Sequence, residues 1–137
     1  MSSKESGSRL ELEFFPLPGR SSRPVVPVVL QNADSGEVLF VAHADAEALG
    51  ETLRTRQAVL WSVSRDELWR KGSTSGDVLD VVEIRVNCEQ TSLLYRVRPR
   101  SGVCHTRGPD GRTRPSCYYR RLESDGRTLT SDREATR

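Results

Sequence analysis

The sequence predicts a strand-rich α+β domain: a mostly antiparallel sheet or pseudo-barrel with one main helix. Three observations carry that expectation. Runs rich in Val, Leu and Ile recur as short segments at 25–30, 38–42 and 78–86, the signature of partly buried strands. Only one window, 45–56, shows helical spacing behind a capping residue. Residues 78–86 and 92–98 are separated by a short turn, which returns the second segment antiparallel to the first.

Taken in order, residues 1–9 are small, polar and charged, and are expected to be a disordered tail. Residues 123–137, with one large apolar side chain, Leu129, among them, read the same way, leaving 10–122 as the folded domain. Residues 25–30 form a strand in which Pro27 marks an edge position or the strand start. Asn32, Ala33, Asp34, Ser35 and Gly36 make a turn into the strand at 38–42, giving a hairpin. Asp45 caps a helix running to about Arg56, with Ala46, Leu49 and Leu53 on its apolar face. A short strand at 58–62 ends on Trp61. Residues 63–77 then form a long loop, and a loop of that length in a small domain is usually functional or disordered. The strand at 78–86 is apolar enough to be central. Residues 89–91 turn the chain into the strand at 92–98, residues 108–112 are a turn-rich insert, and 118–122 is a last strand.

Composition removes several classes. At 137 residues the chain has room for one core. A net charge of +2 is not that of a polybasic nucleic-acid binder, so no nucleic-acid partner is expected. The longest apolar run, 25–30, is too short to span a bilayer, so no membrane partner is expected either. The N-terminus has no apolar core of a signal peptide, so a cytoplasmic location is expected. There, Cys88, Cys104 and Cys117 are expected as thiols or metal ligands rather than disulfides.

The chemistry-bearing residues lie between Trp61 and Cys117. Three thiolates could hold zinc and leave a fourth position for water, the arrangement of catalytic zinc sites. The plain alternative is three ordinary buried thiols, since no Cys-x-x-Cys occurs. His105 adjoins Cys104, and imidazoles exchange protons near neutral pH, which suits a proton carrier. His43 has no obvious partner and reads as structural. Arg65, Arg70 and Lys71, with Ser73, Thr74, Ser75 and the backbone of Gly72 and Gly76, can cradle phosphate, or form a solvated basic loop. Trp61 and Trp69 bracket that loop and favour a pocket. Glu83 and Glu89 are the acidic candidates: Glu89, directly after Cys88, can bind a hard cation or steer water, and either can instead be a surface carboxylate.

Together these stretches resemble the phosphoribosyl-AMP cyclohydrolase family of histidine biosynthesis. The likeness runs through Trp61-Ser62, Ser64-Arg65, Glu67-Leu68-Trp69-Arg70-Lys71-Gly72, Thr74-Ser75-Gly76, Val82-Glu83-Ile84-Arg85, Cys88, Leu93-Leu94, Cys104-His105-Thr106, Ser116-Cys117 and Tyr119-Arg120-Arg121. The resemblance implies an intertwined homodimer with sites at the subunit interface. It implies zinc held by Cys88 of one subunit and by Cys104 and Cys117 of the other. It implies a nucleotide substrate opened at the N1–C6 bond of its adenine ring, His105 as proton shuttle, and Trp61, Ser64, Arg65, Trp69, Arg70, Lys71, Gly72, Thr74, Ser75 and Gly76 binding the substrate. Two departures stand out. Where the family carries three aspartates that bind magnesium, this chain has Asn87, Glu89 and Thr91, so that magnesium site is weakened, moved or absent. Cys104 and Cys117 are also further apart than usual, and the extra turn brings Arg107, Arg112 and Arg114, charge that can stand in for magnesium at the phosphates. Beside the cyclohydrolase reading stand two others: a paralogue acting on another N-substituted purine nucleotide, and a non-catalytic zinc-stabilised dimer that binds nucleotides.

Overall fold

The computed structural model describes residues 3–132. The ends of both expected tails, 1–2 and 133–137, lie outside the described residues. The elements are α1 (Ser3–Ser6), β1 (Val26–Asn32), β2 (Val38–Ala44), α2 (Ala46–Thr55), β3 (Val59–Ser62), β4 (Glu67–Arg70), β5 (Leu79–Val86), β6 (Leu93–Pro99), β7 (Arg120–Leu122) and β8 (Leu129–Ser131). The first six strands form one sheet in the order β4-β3-β2-β1-β6-β5. Every neighbouring pair is antiparallel except β1 with β6. The sheet curls, so the residues leading into β3 meet β5: the Ala58 N–H donates to the Leu79 carbonyl at 3.0 Å, and the Val81 N–H to the Arg56 carbonyl at 2.8 Å. This half-barrel is the strand-rich α+β architecture that the periodicity predicts.

Side-chain alternation decides which face closes. Val26, Val28 and Leu30 of β1 point inward beside Leu93, Tyr95 and Val97 of β6, all essentially without exposure. Each fully buried Leu or Val of this kind contributes about 1.5–3 kcal/mol. Helix α2 covers the core. Asp45 caps it by accepting the Ala48 N–H at 2.8 Å, and Arg56 ends it in the left-handed region at φ 60°. Its buried positions are Ala48, Leu49 and Thr52. Ala46 and Leu53, expected on the apolar face, are exposed there.

Several other expectations change. Pro27 does not mark an edge, because β1 is paired on both sides; it sits one residue into the strand, before the register with β6 begins at Val28. The stretch 63–77 is not one loop. Residues 63–66 turn, with Asp66 at φ 55°, and β4 then pairs back on β3. Strand β5 is at the sheet edge rather than central. A bulge at Val82 shifts its register, so Leu79, Val81 and Ile84 all reach the core although their spacing breaks strict alternation. At the C-terminal end, part of the segment read as a tail folds back as β8 on β7 through a turn at Asp125 and Gly126. At the N-terminus, the Glu13 N–H donates to the Gln90 carbonyl at 2.8 Å, and the buried Gln90 side chain bonds the backbone of Lys4, Arg9 and Glu11. The chain entry is thereby tied to the β5–β6 turn.

Candidate active site

Two of the three cysteines meet. The ladder between β1 and β2 slips after Leu30, leaving Leu39 unpaired, and its free carbonyl accepts the Cys117 N–H at 2.8 Å. The Ser116 hydroxyl donates to the Val38 carbonyl at 2.9 Å. The excursion from Cys104 to Cys117 is a hairpin out and back. The Arg114 carbonyl accepts the N–H groups of Val103 and Cys104, both at 2.9 Å, and Arg107 bridges Thr113. Gly102 lies so close under Thr113 that a Cβ there would overlap its side chain. The larger spacing of these cysteines therefore does not separate them, because the hairpin closes the added length.

The thiol pair is electrostatically asymmetric. Burial opposes ionisation of Cys104. The Thr106 hydroxyl, 2.9 Å from its sulfur, the Thr106 N–H, the Cys117 thiol and Arg114 outweigh that, and its pKa is lowered. Burial and the neighbouring Cys104 push Cys117 up to about 11. Lys71 is lowered by burial, although Asp77, Cys117 and Cys104 act in the other direction.

These groups line one cleft of about 520 Å³. Its walls carry His105, the stretch from Trp69 to Ser75, Arg65 and both thiols. Of the expected substrate set, Arg65, Trp69, Arg70, Lys71, Gly72, Thr74 and Ser75 lie on it. Arg70 also pairs with Glu51 of α2 at 3.1 Å, so its charge is already engaged. Trp61, Ser64 and Gly76 lie off the cleft wall. Trp61 is buried beneath the N-terminal segment, its indole N–H donating to the Ser21 hydroxyl at 3.0 Å and Arg23 stacking on its ring. Trp69 packs against Phe40 with centroids 6.1 Å apart. Asp77 is a cleft residue that sequence reasoning passes over. It is buried, bonded to the Ser101 and Thr113 hydroxyls, and faces Lys71; burial alone would raise its pKa, but these partners hold it low. Its only sequence signal is its place directly after Gly76. For Thr113 the sequence carries no signal.

Cys88 and the 87–91 turn are elsewhere, at the exposed end of β5 and β6. Among the described residues no three His, Cys, Asp or Glu side chains gather as a metal site. Cys104 and Cys117, soft donors in contact at a cleft wall, suit two positions of a zinc site. The 87–91 turn does not suit a hard cation. The Asn87 side-chain oxygen accepts the Thr91 and Ser92 N–H groups at 2.8 and 2.9 Å, and its amide donates to the Thr91 hydroxyl at 2.7 Å. Both residues are used in closing the turn, and Glu89 is left as its one carboxylate. Glu83 pairs with Arg85 and Arg96 on the outer face. His43 is half-buried in β2, its pKa lowered by burial and by Arg20.

Fold and cleft thus define a small strand-rich α+β enzyme in which paired thiols adjoin a polar, basic loop. The sequence profile described as phosphoribosyl-AMP cyclohydrolase matches residues 40–119. A phosphoribosyl-AMP cyclohydrolase of Sphingopyxis alaskensis is 46% identical over 110 residues, 80% of this chain and 82% of its own length. One of Archaeoglobus fulgidus is 43% identical over 116 residues, covering 85% and 96%. The histidine biosynthesis bifunctional protein HisIE of Thermus thermophilus is 47% identical over 98 residues, 72% of this chain and 43% of that protein. The chain belongs to the phosphoribosyl-AMP cyclohydrolase family, a family of hydrolases acting on a cyclic amidine.

Proposed function

We propose that the protein hydrolyses the N1–C6 bond of the adenine ring of 1-(5-phosphoribosyl)-AMP, the third step of histidine biosynthesis. The observation that carries the reading is one cleft holding the Cys104–Cys117 pair, His105 and the Lys71–Ser75 loop together, in a chain of this family. Cys104 and Cys117 hold zinc together with Cys88 of a second copy, and the bound zinc supplies Lewis-acid activation of water. The water oxygen joins C6, the N1–C6 bond breaks, and its electron pair stays on N1. Of the two protons that water gives up, one goes to the exocyclic nitrogen on C6 and His105 carries the other to N1, leaving a carboxamide at the former C6. The loop from Lys71 to Ser75, with Arg65, holds a phosphate and so fixes the ring against the thiols.

The second copy is supported by the surface beside Cys88. An apolar groove of about 420 Å³ on the outer sheet face, lined by Val29, Val38, Val86 and Leu94, runs up to Asn87. A homodimer formed there covers apolar area and presents Cys88 to another cleft.

The test is turnover of phosphoribosyl-AMP, followed by the absorbance change on ring opening. Chelation is expected to abolish it and zinc to restore it. Mixing Cys88→Ser with Cys104→Ser chains is expected to regain part of the activity that each variant alone loses, through dimers with one intact site. A zinc-loaded protein without turnover would sink the cyclohydrolase reading and direct the search to other N1-substituted purine nucleotides. Absence of complementation would sink the shared site.

A further inference from the structure

Behind the cleft opens a second cavity of about 600 Å³. The two share Ser75, Asp77, Arg107 and Thr113 in their walls, and so lie side by side. Arg100 and Arg112 line this second cavity alone, while Arg107 reaches both. Arg100 is neutralised, gripping Asp80 with two hydrogen bonds at 2.8 and 2.9 Å. Arg107 is oriented but not neutralised: its Nη1 donates to the Gly111 carbonyl at 2.8 Å. Arg112 has no side-chain partner among the described residues; Asp110 accepts its backbone N–H at 2.9 Å. The acid common to both walls, Asp77, is bonded to Ser101 at 2.5 Å and faces Lys71. Among the described residues these two guanidinium groups thus remain without a carboxylate, on a hairpin whose cavity adjoins the cleft of the Lys71–Ser75 loop.

We infer that this groove is a second phosphate subsite, in which Arg107 and Arg112 bind the phosphate monoester at the far end of the substrate. The inference rests on the proposed function, whose substrate carries a phosphate on each of two ribose arms. A phosphate dianion in a cavity requires charge-assisted partners, and arginine offers a planar fork that matches its oxygens. Asn87 and Thr91 are tied up in their own turn and bring no cation to that task. The hairpin that lengthens the Cys104–Cys117 interval supplies the charge instead.

The test compares two ligands on the zinc-loaded dimer by calorimetry. One is the ring-opened product, which keeps both phosphates and is not consumed. The other is AMP, which has one. Wild type is expected to bind the bisphosphate more tightly by about tenfold or more. Arg112→Ala is expected to remove about tenfold of product affinity and to raise the KM for phosphoribosyl-AMP alike, with kcat and AMP affinity within twofold. Arg107→Ala should act in the same sense, the double variant should lose more than either, and Arg112→Lys should recover part. Arg98→Ala, paired with Asp34 on the outer face, is expected to change nothing. If Arg112→Ala and Arg107→Ala bind product as wild type does, or weaken AMP equally, the subsite is refuted. If wild type does not distinguish the two ligands, it is refuted as well. A bisphosphate preference that Arg112→Ala abolishes, in a protein that does not turn over phosphoribosyl-AMP, would uphold the subsite and overturn the proposed reaction.

Discussion

Gly72→Ala and Gly76→Ala make a matched pair. Both glycines hold left-handed backbone, at φ 85° and 83°. An alanine in that region costs about 1–2 kcal/mol, of which about 0.4–1 kcal/mol is returned by the stiffer unfolded chain. At Gly76 an added Cβ meets nothing within 4 Å, so the expected loss is about 1 kcal/mol or less. At Gly72 the Cβ would press on the backbone of Asp77 and Val78, lying 2.7 Å from the Asp77 carbonyl oxygen. Main chain cannot rotate aside as a side chain can, so overpacking of about 1–3 kcal/mol is added. Gly72→Ala should therefore be less stable than Gly76→Ala by about 2 kcal/mol. It also displaces Asp77 from Ser101 and Lys71 in the cleft, so it should raise the KM for phosphoribosyl-AMP where Gly76→Ala does not. Urea unfolding of both variants, with unchanged slopes, reads the difference directly. Equal midpoints would refute the argument that the close approach to Asp77, rather than the dihedral alone, requires glycine at position 72.

Two further outcomes follow from buried and self-satisfied polar groups. The Tyr95 hydroxyl is buried without a hydrogen-bond partner among the described residues; neighbouring Thr52 commits its own hydroxyl to the backbone of Ala48 and Val59. Burial raises the Tyr95 pKa from 10 to about 12. Between those values the unfolded chain releases a proton that the folded chain keeps, so stability should fall by roughly 1.4 kcal/mol per pH unit. Tyr95→Phe should match or exceed wild-type stability at neutral pH by about 1 kcal/mol and lose that alkaline decline. A stability difference between the two proteins that stays constant from pH 9 to 12 would count against it. At the 87–91 turn, zinc alone should restore turnover after chelation, and added magnesium should change the rate less than about twofold, since Asn87 and Thr91 are bonded to each other. A strict need for both metals in the add-back assay would overturn that reading.

Much of the local structure was legible because its causes lie within a few residues. Asp45 as a cap, Arg56 as the helix end and the turn at Asn32 follow from side-chain donors and backbone preference. These cleft residues were legible as a set: Lys71 to Ser75, Cys104, His105 and Cys117, singled out by their chemistry, all line one cavity. The missed elements answer to contacts distant in sequence. Strand β4 exists because β3 offers it a ladder, which a polar, glycine-rich stretch does not announce. Burial of Trp61 depends on Ser21 and Arg23, some forty residues earlier by the indole bond. The Asp-Gly turn between β7 and β8 was a readable hairpin signal that the polar composition obscured.

The sequence by itself determined the fold class, the helix and its caps, the β5–β6 return and the identity of the chemical groups. Those depend on dihedral preference, periodicity and side-chain chemistry, which each residue carries with it. Only the tertiary structure decided that Cys104 meets Cys117 while Cys88 stands apart, and that Asp77 joins the cleft. It also decided that the hairpin turns Arg107 and Arg112 into the cavity beside the cleft. These outcomes depend on where a slipped ladder leaves the Leu39 carbonyl free and on how far the sheet curls. Both are set by packing the whole core, which no local stretch of chain encodes.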